Sequence, residues 1–154
     1  MSFAPPSGTD PQPVAERLRA AAVHEGLTSP VYREGPITRT DIVRYAGAGG
    51  DFNPMHHDEV FAQAAGVPTV FAMGLLSAGY LSRLVSDWLG LKNLRFYKVR
   101  FAAQVWPDEI LEMSGTVTRV YDEDGERRLD ADFVVANADG QRKVSAMATA
   151  AVEG

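Results

Sequence analysis

The chain has 154 residues, 45% of them hydrophobic and 23% charged, with a formal net charge of -5. This is the make-up of one globular domain with a packed core, which excludes whole-chain disorder, fibrous classes and any apolar run long enough to span a bilayer. The acidic balance argues against nucleic acid as a partner, and the absence of Cys excludes disulfides, zinc–thiolate sites and thiol nucleophiles.

Residues 1–28 read as an N-terminal extension. The first dozen, rich in Pro, Ser and Gly, are expected to be a mobile tail, and no secretory signal pattern is visible, so a cytoplasmic location without membrane association is the expectation. From Val14 to Glu25 the apolar spacing of Val14, Leu18, Ala21 and Ala22 predicts a short amphipathic helix. Residues 29–154 read as a single domain. Ser29–Pro36 is a short extended segment, and Thr38-Arg39-Thr40-Asp41 then matches a capping box that opens a helix ending at Gly47-Ala48-Gly49-Gly50. A loop, Asp51-Phe52-Asn53-Pro54-Met55-His56-His57, precedes a second short helix over Glu59–Ala65. Ala72–Leu89 is a third, longer helix with Leu75, Leu76, Tyr80, Leu84 and Trp88 on one apolar stripe.

After Gly90 the period becomes alternating. Leu94–Val105, Glu109–Tyr121, Arg127–Ala136 and Arg142–Val152 are strand-type runs, and the Asp-Gly pairs at 124–125 and 139–140 are hairpin signals. Helices gathered ahead of a run of strands predict an α+β fold, with an antiparallel meander wrapped around the long helix.

Chemistry concentrates between Gly47 and Asp58. Pro54 lacks an N–H and pushes Asn53 out of the helical region, so the loop cannot continue either neighbouring helix. On a continuous helix Asp51 and His56 would point about 140° apart; a chain bent at Pro54 can aim both at one point. A carboxylate beside an imidazole is an acid/base pair able to hold a water and move its protons near neutral pH. The plainer alternative is a turn-capping Asp and a polar loop His. Phe71-Ala72-Met73-Gly74 leads into the long helix, whose first N–H groups carry partial positive charge. Gly74 either lets a carbonyl ligand approach that backbone or simply relieves helix–sheet crowding. His56-His57 does not suggest a metal, because adjacent imidazoles rarely reach one ion and His24 is the only other His.

The run ITRTDIVRYAGAGGDFNPMHHDEVFAQAAG, followed by AMGLLSAGYLSRLVSDWLG, resembles the MaoC-like (R)-specific enoyl-thioester hydratases, including the dehydratase subunits of mycobacterial fatty-acid elongation. The resemblance covers roughly Ser29 to the C-terminus, and its most specific part is the match of Asp51-Phe52-Asn53-Pro54-Met55-His56 to the family's D-x-N-P-x-H motif. It implies a hotdog fold and the addition of water to trans-2-enoyl thioesters, or the reverse dehydration of (R)-3-hydroxyacyl thioesters. Asp51 and His56 match the family's catalytic dyad. Asn53, with Pro54, matches the loop support, and Gly74 the donor to the thioester carbonyl. The chain departs from the pattern at Met73-Gly74-Leu75, where many relatives have His-Gly-Met, and at Gly79, where some have Ser. Met73, Leu75 and Leu76 read as core in preference to acyl-tunnel lining.

No cofactor or metal is implied, because the substrate arrives as a thioester of coenzyme A or acyl carrier protein. Lys92, Arg95, Lys98 and Arg100 form a local basic group that either meets the carrier's phosphates or is a solvated strand face. The resemblance further implies a homodimer, or a heterodimer with a related hotdog subunit. Other roles known among hotdog proteins are a thioesterase and a non-catalytic acyl-binding subunit.

Overall fold

The computed structural model describes residues 13–152. The expected tail over the first dozen residues lies outside them. Five strands, β1 (Tyr32–Glu34), β2 (Leu94–Phe101), β3 (Leu111–Glu123), β4 (Glu126–Asn137) and β5 (Arg142–Ala151), form one antiparallel sheet in the order β1-β3-β4-β5-β2. Three α-helices precede the meander: α1 (Arg39–Gly49), α2 (Glu59–Ala64) and α3 (Gly74–Val85). The sheet curls around α3, which is the hotdog arrangement.

The strand pattern explains the wrapping. Leu111, Met113 and Val117 of β3, Leu129, Ala131, Phe133 and Val135 of β4, and Val144, Ala146, Ala148 and Ala150 of β5 alternate inward and are buried. Small residues flank Phe133 in register, Gly115 on one side and Ala146 on the other, so its ring has room to meet Trp88 edge-on at 5.9 Å. A side chain at Gly115 would come within 2.3 Å of that ring. The hairpin between β3 and β4 turns on Asp124 and Gly125, both at positive φ, as the Asp-Gly pair predicts.

The long helix differs from expectation at both ends. Regular α-helix runs from Gly74 to Val85, continues as a π-turn over Ser86–Gly90 and closes in a 3-10 turn at Leu91–Asn93. Its buried face is centred on Leu81, with Leu76, Ala78, Leu84, Val85 and Trp88. Leu75 is 63% exposed and so leaves the predicted stripe. No helix among the described residues is long and apolar enough to cross a membrane.

The helix expected over 14–25 is reduced to a single 3-10 turn, Ala20–Ala22. Tertiary contacts outbid helix propensity there. Val14 N–H donates to Asp87 at 2.8 Å and Leu18 N–H donates to the Trp88 carbonyl at 2.8 Å, while Ala15 and Val23 are buried. An extended backbone reaches all four sites; a helix starting at Val14 would have turned the Leu18 N–H onto the Val14 carbonyl.

The predicted capping box is present at the start of α1. Thr38 accepts from Asp41 N–H through its side chain, and the Asp41 carboxylate accepts from Thr38 N–H. The Thr38 hydroxyl, donating to that carboxylate at 2.6 Å, and then the Thr38 N–H hold the Asp41 carboxyl below its ordinary pKa. Thr38→Ala is expected to lower stability by about 1 kcal/mol, read as a lower urea midpoint at an unchanged denaturant slope.

Candidate active site

The Gly50–Asp58 connector is held by a series of local hydrogen bonds. Gly50 ends α1 in the left-handed region (φ 69°), and both its N–H and that of Asp51 return to the Ala46 carbonyl. The Asp51 carboxylate accepts from Asn53 N–H at 3.3 Å, and Asn53 Oδ1 accepts from Met55 N–H at 3.1 Å. Pro54 opens a 3-10 turn, Pro54–His56, at the position where a missing N–H costs nothing. Asp58 then caps α2 by accepting from Phe61 N–H. Asn53 therefore caps this turn and Pro54 starts it.

The bend brings Asp51 and His56 face to face. His56 Nε2 lies 3.7 Å from Asp51 Oδ2, with the imidazole 8% exposed and the carboxylate 49% exposed. That gap is too long for a direct hydrogen bond and leaves room for a shared oxygen ligand. The other ring nitrogen is committed, since Nδ1 lies 2.7 Å from the Phe71 carbonyl. A carbonyl only accepts, so Nδ1 carries the proton and the lone pair of the neutral ring sits on Nε2, facing Asp51. Phe71 also meets the imidazole edge-on at 5.2 Å and is itself backed by Trp106. Sequence reasoning did not single out Phe71, because its role is played by a main-chain oxygen that any residue would carry.

Both groups line a cavity of about 440 Å³ together with Met73, Gly74, Leu75, Ser77 and Phe101. Met73 supplies no side-chain cap to α3, so the first N–H groups of the helix are uncapped where Gly74 and Leu75 line that space. The crowding reading of Gly74 has direct support: a Cβ there would lie 2.8 Å from the Phe101 ring. Met73 and Leu76 belong to the buried core as expected, with Met73 also lining the cavity; Leu75 is exposed on the cavity wall, so its reading as core is corrected.

The four basic residues are not brought to one point. Arg95 makes a two-pronged pair with Glu126 (2.6 and 3.0 Å) and also donates to the carbonyls of Lys92, Asn93 and Leu94. Glu126, held by Arg95 first and Arg128 second, has its carboxyl pulled down to about 2. Lys98 and Arg100 line a separate depression of about 480 Å³ with Arg142 and Asp132, which shares no residue with the Asp51–His56 cavity.

The family model described as "MaoC like domain" matches residues 21–137. Over 69 residues the chain is 39% identical to "3-hydroxyacyl-thioester dehydratase X" of Mycobacterium tuberculosis, covering 45% of this chain and 24% of that protein. Over 53 residues it is 40% identical to "(R)-specific enoyl-CoA hydratase" of Rhodospirillum rubrum, covering 34% of this chain and 37% of that one. The matches thus span about a quarter of the first relative's length and somewhat over a third of the second's. Among solved structures, the ChsH1-ChsH2 complex from M. tuberculosis superposes with a TM-score of 0.71 at 27% identity, covering 84% of this chain and 98% of that one.

Proposed function

The chain belongs to the MaoC-like domain family, and from that premise we propose that it adds water to trans-2-enoyl thioesters with (R) stereochemistry, or runs the reverse dehydration of (R)-3-hydroxyacyl thioesters. One observation carries this reading: His56 Nε2 and Asp51 Oδ2 stand 3.7 Å apart in a cavity that also holds the uncapped start of α3 at Gly74. Two acceptors at that separation hold one water by its two hydrogens, leaving its oxygen lone pairs free for an electrophilic carbon. The thioester oxygen docks at the N–H of Gly74, where the helix dipole stabilises the charge that develops as Cβ is attacked. Nε2 takes a proton from the water as the C–O bond forms, and the dyad returns a proton to Cα, so the enzyme ends unchanged. Met73 in place of the family's His leaves this backbone donor intact. The reaction needs no cofactor, because the carrier, coenzyme A or acyl carrier protein, arrives with the substrate.

The test is incubation with crotonyl-CoA, following loss of the enoyl absorbance and assaying the product for chirality and for free thiol. Formation of (R)-3-hydroxybutyryl-CoA without thiol release is expected. Thiol release without hydration would assign a thioesterase instead. Gly74→Ala is expected to cost about ten- to a hundredfold in kcat/KM, because displacing the Phe101 ring shifts the bound thioester away from its donor; steady-state kinetics with crotonyl-CoA checks this.

A partner subunit is part of the proposal. Phe52, Leu75 and Phe101 are exposed, the last two on the cavity wall itself. Apolar surface at a cavity mouth is the kind a second subunit covers. A second copy of this chain is the simplest occupant and a related hotdog subunit the other; size-exclusion chromatography coupled to light scattering tells a self-associating chain from one that awaits a different partner.

A further inference from the structure

The Ser77 hydroxyl is the one buried side-chain polar atom among the described residues that has no hydrogen-bond partner within the protein. Ser77 is 1% exposed and lies on the wall of the cavity that holds Asp51, His56 and Gly74. It follows Gly74 by three residues, so both address the same side of α3, about one turn apart.

Its isolation is specific to this position. A helical Ser ordinarily satisfies its hydroxyl on a carbonyl of the preceding turn. Ser82 does so on the Ala78 carbonyl at 2.7 Å, and Ser86 on the Arg83 carbonyl at 3.1 Å. Ser77 does not. The other buried polar side chains, Ser29, His56, Asn93, Asn137 and Lys143, all have partners. An unsatisfied buried hydroxyl weakens the folded state, by about tenfold in the unfolding equilibrium. Ala at this position would pack between Leu76 and Ala78 without that cost.

We infer that Ser77 is a substrate-binding residue whose hydroxyl hydrogen-bonds an oxygen of the acyl thioester in the cavity. The inference rests on the thioester reading of the site. An acyl thioester brings its carbonyl oxygen and, on the hydrated side of the reaction, the hydroxyl at Cβ. Either would complete Ser77 once the ligand has displaced bulk water from the cavity. The sequence hid this residue because a Ser inside an apolar helix reads as a spacer.

The experiment compares wild type, Ser77→Ala and the hydroxyl-keeping Ser77→Thr in three measurements: urea unfolding of the free protein, affinity for butyryl-CoA, and kcat/KM for crotonyl-CoA. For Ser77→Ala the free protein is expected to be as stable as wild type or up to about tenfold more so. Its turnover or its thioester affinity should fall about tenfold, and Ser77→Thr should stay within a few-fold of wild type. Loss of thioester affinity or turnover without loss of stability is the signature that a merely structural Ser would not give. In an Asp51→Asn background, weaker binding of butyryl-CoA assigns the contact to the carbonyl oxygen; weaker binding of (R)-3-hydroxybutyryl-CoA alone assigns it to the Cβ hydroxyl. Wild-type affinity and turnover in Ser77→Ala, or a loss of activity matched by a loss of stability, overturns the inference. If wild type binds butyryl-CoA through Ser77 yet fails to hydrate crotonyl-CoA, the hydratase reading fails and the Ser77 contact stands. If wild type hydrates and Ser77→Ala is unaffected, the reverse holds.

Discussion

Replacing His56 with Ala, or Asp51 with Asn, is expected to lower the rate of enoyl-thioester hydration by about 10²–10⁴-fold, the range typical for removing a positioned acid/base group. The two substitutions probe different halves of the same arrangement. Asn at 51 keeps the size of the side chain and its place in the Asn53 turn while deleting the charge facing Nε2. Since Asp51 is about half exposed, its replacement should leave folding stability nearly unchanged. Ala at 56 removes Nε2 itself, and also the Nδ1–H that satisfies the Phe71 carbonyl. That carbonyl lies beside the cavity and can turn to water, so the cost in stability is expected to be modest. Steady-state kinetics with crotonyl-CoA, alongside circular dichroism of each variant, reads both effects. Wild-type turnover in both variants would remove the dyad from the mechanism.

The largest effect on stability is expected at Lys143. Its side chain is fully buried, and its ammonium donates to Glu109 Oε1 at 2.7 Å and to the Gln104 carbonyl at 2.8 Å. Glu109 also accepts from Trp106 N–H and from the Asn137 amide. Burial alone would raise the Glu109 carboxyl pKa, but Lys143, Trp106 and Asn137 together outweigh it and hold it below its ordinary 4.5. Lys143→Met leaves that carboxylate, 16% exposed, without its counter-ion, which is expected to cost about 3 kcal/mol, measured by urea unfolding near neutral pH.

The sign with pH follows from the lowered carboxyl. Because Glu109 is more acidic folded than unfolded, it contributes stability above its unfolded pKa and loses it as pH falls through the folded value. In Lys143→Met the folded carboxyl rises relative to wild type, so protonation relieves the variant first. The gap between the two proteins is therefore expected to narrow as pH falls through the carboxylate range. A gap of constant size would show that lost packing, and not the unpaired charge, accounts for the defect. The cluster also sits behind the site: Trp106 backs Phe71, and the Val105 carbonyl accepts from Ala72 N–H at 2.8 Å, next to the carbonyl that orients His56.

Local signals in the sequence translated directly where the relevant physics is local. The Thr38–Asp41 capping box, the Asp124-Gly125 turn and the Pro54 bend are each decided within a few residues, and all three stand in the structure. The N-terminal segment failed as a helix for the opposite reason. Two of its N–H groups are claimed by Asp87 and Trp88, seventy or more residues away in the chain, and propensity carries no record of that. Arg95 looked available for a phosphate until Glu126, reached across the sheet end, took its guanidinium.

By itself, then, the amino-acid order determined the α+β class, the wrapped central helix, the family, and the one loop where an acid and an imidazole can converge. These follow from hydrophobic period, turn chemistry and a short motif, all of which are written along the chain. Only the tertiary structure decided which nitrogen of His56 faces Asp51, that the two stand 3.7 Å apart on one cavity, and that Ser77 borders it unpartnered. The reason is that hydrogen-bond assignment and burial depend on groups brought together from distant positions: the Phe71 carbonyl, the start of α3 and the segment after β2 meet only when the sheet has closed around the helix.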